Sequence, residues 1–254
     1  MRRTGMVAGL LVMVFAGAGI AAGAASAAPP EFGVCAHTKA HGGEKFSKRN
    51  CDTAPKPNGT PGRDFEWLPG AEGVGFTASG HAAVLESSAP GTFTLACKSQ
   101  RESGEYRGTK SVANVVMTLG HCRSGEVPCG NSGSETIVSS PLEGGIGKKD
   151  AATQRVLLLL FAAGHSGPVA QFTCGGLSVT VTGALLGPVP GNESARTYEI
   201  RYVAHLGVQN AETFEGQSGE VLSVSLGGAA PVAAGLTMNT TIRSEEPIEI
   251  NEFI

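Results

Sequence analysis

The chain has 254 residues, 41% of them hydrophobic, with 19 basic and 22 acidic side chains and a formal charge of −3. That balance gives no electrostatic reason to seek nucleic acid or an anionic membrane surface. Thirty-seven glycines and fourteen prolines argue against long helices and for many short elements joined by tight turns.

Residues 1–27 read as a cleavable secretory signal peptide. Arg2 and Arg3 form a basic start, residues 6–24 are uncharged and apolar, and Ala25-Ser26-Ala27 offers the small side chains that a signal peptidase accepts, so cleavage is expected after Ala27. The rival is an uncleaved anchor, for which the glycine- and alanine-rich second half of the segment partitions too weakly into lipid. Cleavage removes two arginines and no acids, which leaves 17 basic against 22 acidic residues and a mature charge of −5. The expected location is secreted or extracytoplasmic, with no membrane span after cleavage.

Residues 28–70 are basic and poor in large apolar groups, with Lys39, Lys45, Lys48, Arg49, Lys56 and Arg63 and a proline-rich stretch from Pro55 to Pro61. They are expected to form a small disulfide-closed hairpin and a linker that docks through Trp67, the only tryptophan. Such a basic segment on an acidic protein suits an anionic cell-wall polymer, although such a patch is more often simply a solvated face.

Residues 71–254 are expected to form the main domain. Period-2 alternation marks strands at residues 111–119 (Ala113, Val115, Met117, Leu119), 177–181, 197–202 (Tyr198, Ile200, Tyr202), 222–226 and around Leu236, Met238 and Ile242. The run Val156-Leu157-Leu158-Leu159-Leu160-Phe161 is apolar on both faces and too short to cross a bilayer, so it reads as a central strand covered on both sides. The predicted fold is all-β, an antiparallel sandwich or a closed barrel of ten or more short strands; periodicity does not choose between them.

All six cysteines lie beyond residue 27, and an even count in an exported chain reads as three disulfides. Sequence order and strand parity favour Cys35–Cys51, Cys122–Cys129 across a short turn, and Cys97–Cys174 as the long-range bridge. Zinc is not expected, because no cysteine pair has C-x₂-C spacing. No phosphate loop, dinucleotide fingerprint or calcium loop appears, and no cofactor is implied.

Two motifs suggest hydrolytic chemistry. Thr118-Leu119-Gly120-His121-Cys122 and Gly216-Gln217-Ser218-Gly219-Glu220 resemble the histidine and serine segments of chymotrypsin-like proteases, with Asp150 the one aspartate between them. Gln217 and Glu220 depart from that family's pattern and put a charge beside the oxyanion hole, and Asp150 follows Lys148-Lys149 in what reads as an exposed turn. Gly164-His165-Ser166-Gly167-Pro168 looks like a nucleophile elbow, but an elbow leads into a helix, whereas residues 169–181 alternate as strand.

Phe65-Glu66-Trp67-Leu68-Pro69-Gly70, Ser103-Gly104-Glu105-Tyr106 after the Cys97 strand, Gly120-His121-Cys122, Pro141-Leu142-Glu143-Gly144, Phe172-Thr173-Cys174-Gly175-Gly176 and Ile248-Glu249-Ile250-Asn251 together resemble a group of uncharacterised secreted proteins found in many copies in soil actinobacteria. The resemblance implies export and brings no activity with it. The expectation is therefore a non-enzymatic binding or cell-envelope-associated protein of unknown ligand. The alternative is a divergent chymotrypsin-like serine hydrolase using His121, Asp150 and Ser218.

Overall fold

A computed structural model describes residues 30–37, 46, 51, 64–88, 93–150, 155–189, 195–209, 213–215, 217–218 and 222–251. The signal segment, its cleavage point after Ala27 and most of the basic stretch from Lys39 to Arg63 lie outside the described residues.

The alternating segments close into an eight-stranded antiparallel barrel. Its staves, in chain order, are β1 (Gly75–Gly80), β2 (Ser99–Arg107), β3 (Ser111–Gly120), β4 (Leu142–Lys148), β5 (Val156–Ala162), β6 (Ala184–Pro188), β7 (Ala195–Tyr202) and β8 (Val232–Asn251). Each lies beside its sequence neighbour, and β8 returns to β1 through Thr241↔Ser79 and Arg243↔Thr77. The choice between sandwich and barrel thus falls to the barrel. Closure removes the unpaired edges that an open sheet would expose.

The connections at one end of this barrel are themselves hairpins, and they build a second ring on the first. Ala83–Ser87 pairs with Thr94–Cys97, which meets Arg123–Ser124 and then Val127–Gly130. That strand meets Ala170–Cys174, which is followed by Leu177–Thr182 and Ser223–Leu226. The twenty-residue β8 closes both rings: Val232 and Ala233 meet Val224 and Ser223, and residues 234–238 meet Ala83–Ser87. At ~3.3 Å per residue β8 is about 65 Å long, enough to serve as a stave in both tiers.

Core residues come from the inward half of each alternation. Met117 and Leu119 of β3, Leu158 and Leu160 of β5, Ile200 of β7 and Met238 and Ile242 of β8 are all buried. Ala113 and Val112 are both buried because a register shift opposite Ser103 and Glu105 breaks the strict alternation of β3. Leu157 and Leu158 are both buried, as expected of a strand covered on two sides. Leu85, Leu95, Met117, Leu119, Phe172 and Leu236 meet where the two rings join, around an apolar cavity of about 50 Å³.

The N-terminal strand Glu31–His37 pairs with Phe65–Pro69 and with the end of β8. Phe32, not Trp67, joins it to the barrel core: its ring is fully buried edge-on to Tyr106, and its N–H donates to the Thr109 carbonyl. Trp67 belongs to a separate small cluster with Cys35, Phe46, Cys51 and Phe65.

Cys35–Cys51 is present as expected. The expected Cys122–Cys129 and Cys97–Cys174 bridges are not; the bonds are Cys97–Cys122 and Cys129–Cys174. The reason is lateral strand order. Ala96 pairs with Arg123, Arg123 with Pro128, and Cys129 with Cys174, so the four cysteines form one row across four adjacent strands. Within the row each hairpin cysteine bonds to the strand on its outer flank. Three disulfides fit an oxidising, extracytoplasmic environment. No described helix is long and apolar enough to cross a membrane.

Candidate functional site

The outward half of the alternation on five adjacent strands forms a continuous polar surface. Across β3, β2, β1, β8 and β7, register aligns Thr118, Arg101, Ser79, Thr241 and Glu199 in one row. The next row holds Val116, Ser103, Thr77, Arg243 and Thr197. On the other side Ser99 stands on β2 and Asn239 beside Arg201 on β8 and β7. Two depressions of about 910 and 960 Å³ run over this surface and share Ser79, Arg101 and Thr241, so they form one groove. His81 and Thr237 lie along its second half.

Physically this is a recognition surface on a rigid support. Rows are ~4.8 Å apart across strands and alternate side chains ~6.8 Å apart along them, and β3, β2, β1 and β8 are each held by ladder hydrogen bonds on both sides. Arg101, Arg201 and Arg243 are exposed, and none makes an ion pair or hydrogen bond among the described residues. A guanidinium offers five donors in a planar fork that matches a carboxylate or phosphate, and the serine and threonine hydroxyls between them both donate and accept.

Behind the groove, the inward residues of the same strands form a polar patch in the barrel lumen. Gln100, Glu102, Thr240 and Tyr202 are all buried. The Gln100 amide donates to the Asn239 carbonyl at 2.6 Å, in space that only a glycine at position 80 leaves open. The Tyr106 hydroxyl bridges those of Tyr198 and Ser244, at 2.7 Å each. Burial pushes the Glu102 carboxyl up to about 7, partly offset by the Thr240 hydroxyl beside it. Burial, and then the charge of Glu102, raise the Tyr202 phenol well above its ordinary value. Gln100 Oε1, Glu102 Oε1, Thr240 Oγ1 and the Tyr202 hydroxyl lack a well-aligned hydrogen-bond partner, so an ionised Glu102 has little to stabilise it. Glu102 is almost fully enclosed, on the inward half of an alternation whose outward neighbours are Arg101 and Ser103, and it stands among the residues that border the first depression.

The hydrolase residues do not converge. His121 follows the end of β3 in a left-handed turn (φ 54°), its ring exposed and its Nδ1 3.8 Å from Glu135, which is held by Arg123 at 2.6 Å. Ser218 belongs to the Thr213–Phe214/Gln217–Ser218 hairpin; its side chain lies outside the described residues. That hairpin docks at the end of β4, where Glu215 N–H donates to Lys148 and Thr213 Oγ1 donates to the Lys149 carbonyl, next to Asp150. The end of β4 adjoins the start of β3, since Ile146 N–H donates to the Lys110 carbonyl. The length of β3, about 30 Å at ~3.3 Å per residue, therefore separates His121 from Asp150 and the Ser218 backbone. Gly164 and His165 form a single 3-10 turn that leads into the strand Ala170–Cys174, with His165 stacked on Phe161. Among the described residues no group of three or more His, Cys, Asp or Glu gathers as a metal site.

No protein-family model, curated protein or solved structure matches the chain. Function is therefore argued from the groove itself. Its residues were visible in the sequence only as the polar half of the strands; which strands are neighbours, and so which polar residues share a surface, was not.

Proposed function

We propose that this is a non-enzymatic binding protein of the bacterial cell envelope, exported through a signal peptide cleaved after Ala27, that holds an extended polymer along the groove on β3, β2, β1, β8 and β7. In this reading it is one of the secreted actinobacterial proteins that its sequence resembles.

The observation that carries the reading is the groove: contiguous, five strands wide, lined by hydroxyls and by arginines that are unpaired among the described residues, and built on a closed barrel whose adjoining ring is stapled by disulfides. Such a surface offers many weak polar contacts in a fixed array and suits a repeating ligand, whose units each find a partner without the protein having to rearrange.

The test is retention of the purified mature protein by isolated envelope polymer, compared with a Ser79→Trp/Thr241→Trp variant that fills the middle of the groove. Both positions are on the outer face, so the variant should fold, and it should lose retention. Equal retention of both proteins would remove the groove from the argument. Labelling by a fluorophosphonate that is abolished in Ser218→Ala would overturn the non-enzymatic reading.

A further inference from the structure

We propose that the groove's ligand is a polyanion rich in hydroxyl groups, with its negative charges spaced further apart than adjacent sugar or polyol units. The inference rests on the binding reading above and names the chemistry of what is bound.

It starts from the placing of the charges. Arg101 stands on β2, Arg243 two strands away and one alternate position along, and Arg201 one strand beyond that on the opposite side of the Arg101 row. With ~4.8 Å between strands and ~6.8 Å between alternate residues, their Cα atoms form a triangle with sides of about 12, 14 and 16 Å. Between them stand Ser79 and Thr241, paired directly across β1 and β8, and Thr77 beside Arg243. A densely charged chain such as nucleic acid would present anions to the hydroxyl positions and leave most charges unmatched. A neutral glycan would leave three guanidinium groups to be desolvated without a partner, and of the two rings among the groove's described lining residues Tyr202 is buried, which leaves the His81 imidazole at one end as the exposed one. A chain with one anion for every two or so units satisfies both sets of groups.

Glu199 sharpens the assignment. It is the acid of the array, on β7 directly opposite Thr241 and one alternate position from Arg201. An anionic ligand must avoid it, so Glu199 opposes polymers charged on every unit and limits how the chain lies between Arg201 and Arg243.

Two sources share this chemistry: glycans in which uronic acids alternate with uncharged sugars, which carry carboxylates, and glycans whose phosphodiesters are separated by uncharged sugars. The experiment uses the mature disulfide-bonded protein and three immobilised probes: a partly methyl-esterified polygalacturonate, a glycan whose phosphodiesters are separated by two or more uncharged sugars, and neutral dextran. Affinity is read by interferometry at low and at moderate salt. The expected result is binding to one or both anionic probes, weaker at the higher salt, with no binding to dextran. Arg101→Ala, Arg201→Ala and Arg243→Ala should each weaken it about tenfold, the scale of one charge-assisted hydrogen-bonded contact. Glu199→Gln should tighten it severalfold. Arg107→Ala and Arg123→Ala, which remove exposed charges elsewhere, should leave it unchanged. The better anionic probe identifies the carboxylate or phosphate source. If dextran binds as well as the anionic probes, or the triple alanine variant binds like the wild type, the polyanion inference fails while the binding reading stands. If no probe and no envelope fraction is retained, both fail.

Discussion

Glu102 gives the protein a pH dependence whose sign and size follow from where the carboxyl sits. It lies in the barrel lumen at 5% exposure, and burial raises it from its ordinary 4.5 to about 7. Between those values the folded protein keeps a proton that the unfolded chain releases. Folding then takes up a proton, and stability falls as pH rises through this window. Each pH unit corresponds to about 1.4 kcal/mol, so the loss approaches ~3 kcal/mol by pH 7 and grows little above it. Glu102→Gln keeps the shape and removes the titration. Urea unfolding with the disulfides intact, followed by Trp67 fluorescence and far-ultraviolet circular dichroism from pH 4 to pH 8, should show wild type losing ~3 kcal/mol relative to the variant across pH 4.5–7. Above pH 7 the difference should be constant. Two stability curves that run parallel from pH 4 to pH 8, within about 0.5 kcal/mol, would refute the argument, because that margin is well below the effect worked out here.

Three further outcomes are expected. Digestion of the unreduced protein should release peptides joined Cys97 to Cys122 and Cys129 to Cys174, and Cys97→Ser/Cys122→Ser, which opens a loop of sequence separation 25, should cost about 3.5 kcal/mol. Phe32→Ala removes the side chain that joins the N-terminal strand to the core and should cost about 3–5 kcal/mol by chemical denaturation; a cost below 1 kcal/mol would show that the strand is held elsewhere. Tyr106→Phe deletes a buried hydroxyl that serves both Tyr198 and Ser244 and should cost roughly 1–3 kcal/mol in the same assay, with the rescue variant Tyr106→Phe/Ser244→Ala recovering part of it.

Local chemistry was legible wherever a residue's fate depends on its immediate neighbours. The alternation at Met117 and Leu119, at Tyr198, Ile200 and Tyr202, and at Leu236 and Met238 gave strands and their buried faces, because side chains on a strand point to opposite sides every second residue. Where that spacing was interrupted, the reading was incomplete: Ala113 is buried as expected, and Val112 is buried beside it, because a register shift is a property of two strands together. The chymotrypsin-like pattern is likewise local: His121 and Ser218 have suitable neighbours in sequence, while the described backbone puts them toward opposite ends of β3.

By itself the sequence determined that the chain is all-β, that its cysteines face an oxidising compartment, and which half of each strand is buried. These follow from composition, the absence of helical spacing and the period-2 pattern, all of which are local. Tertiary structure decided the rest: closure into a barrel with a second ring above it, the partners of Cys97, Cys122, Cys129 and Cys174, the burial of Glu102 among unpartnered hydroxyls, and the gathering of Arg101, Arg201 and Arg243 on one face. Each of these depends on which strands lie side by side. Strand order is set by how the whole set of apolar faces closes around one core, and no single segment carries that information.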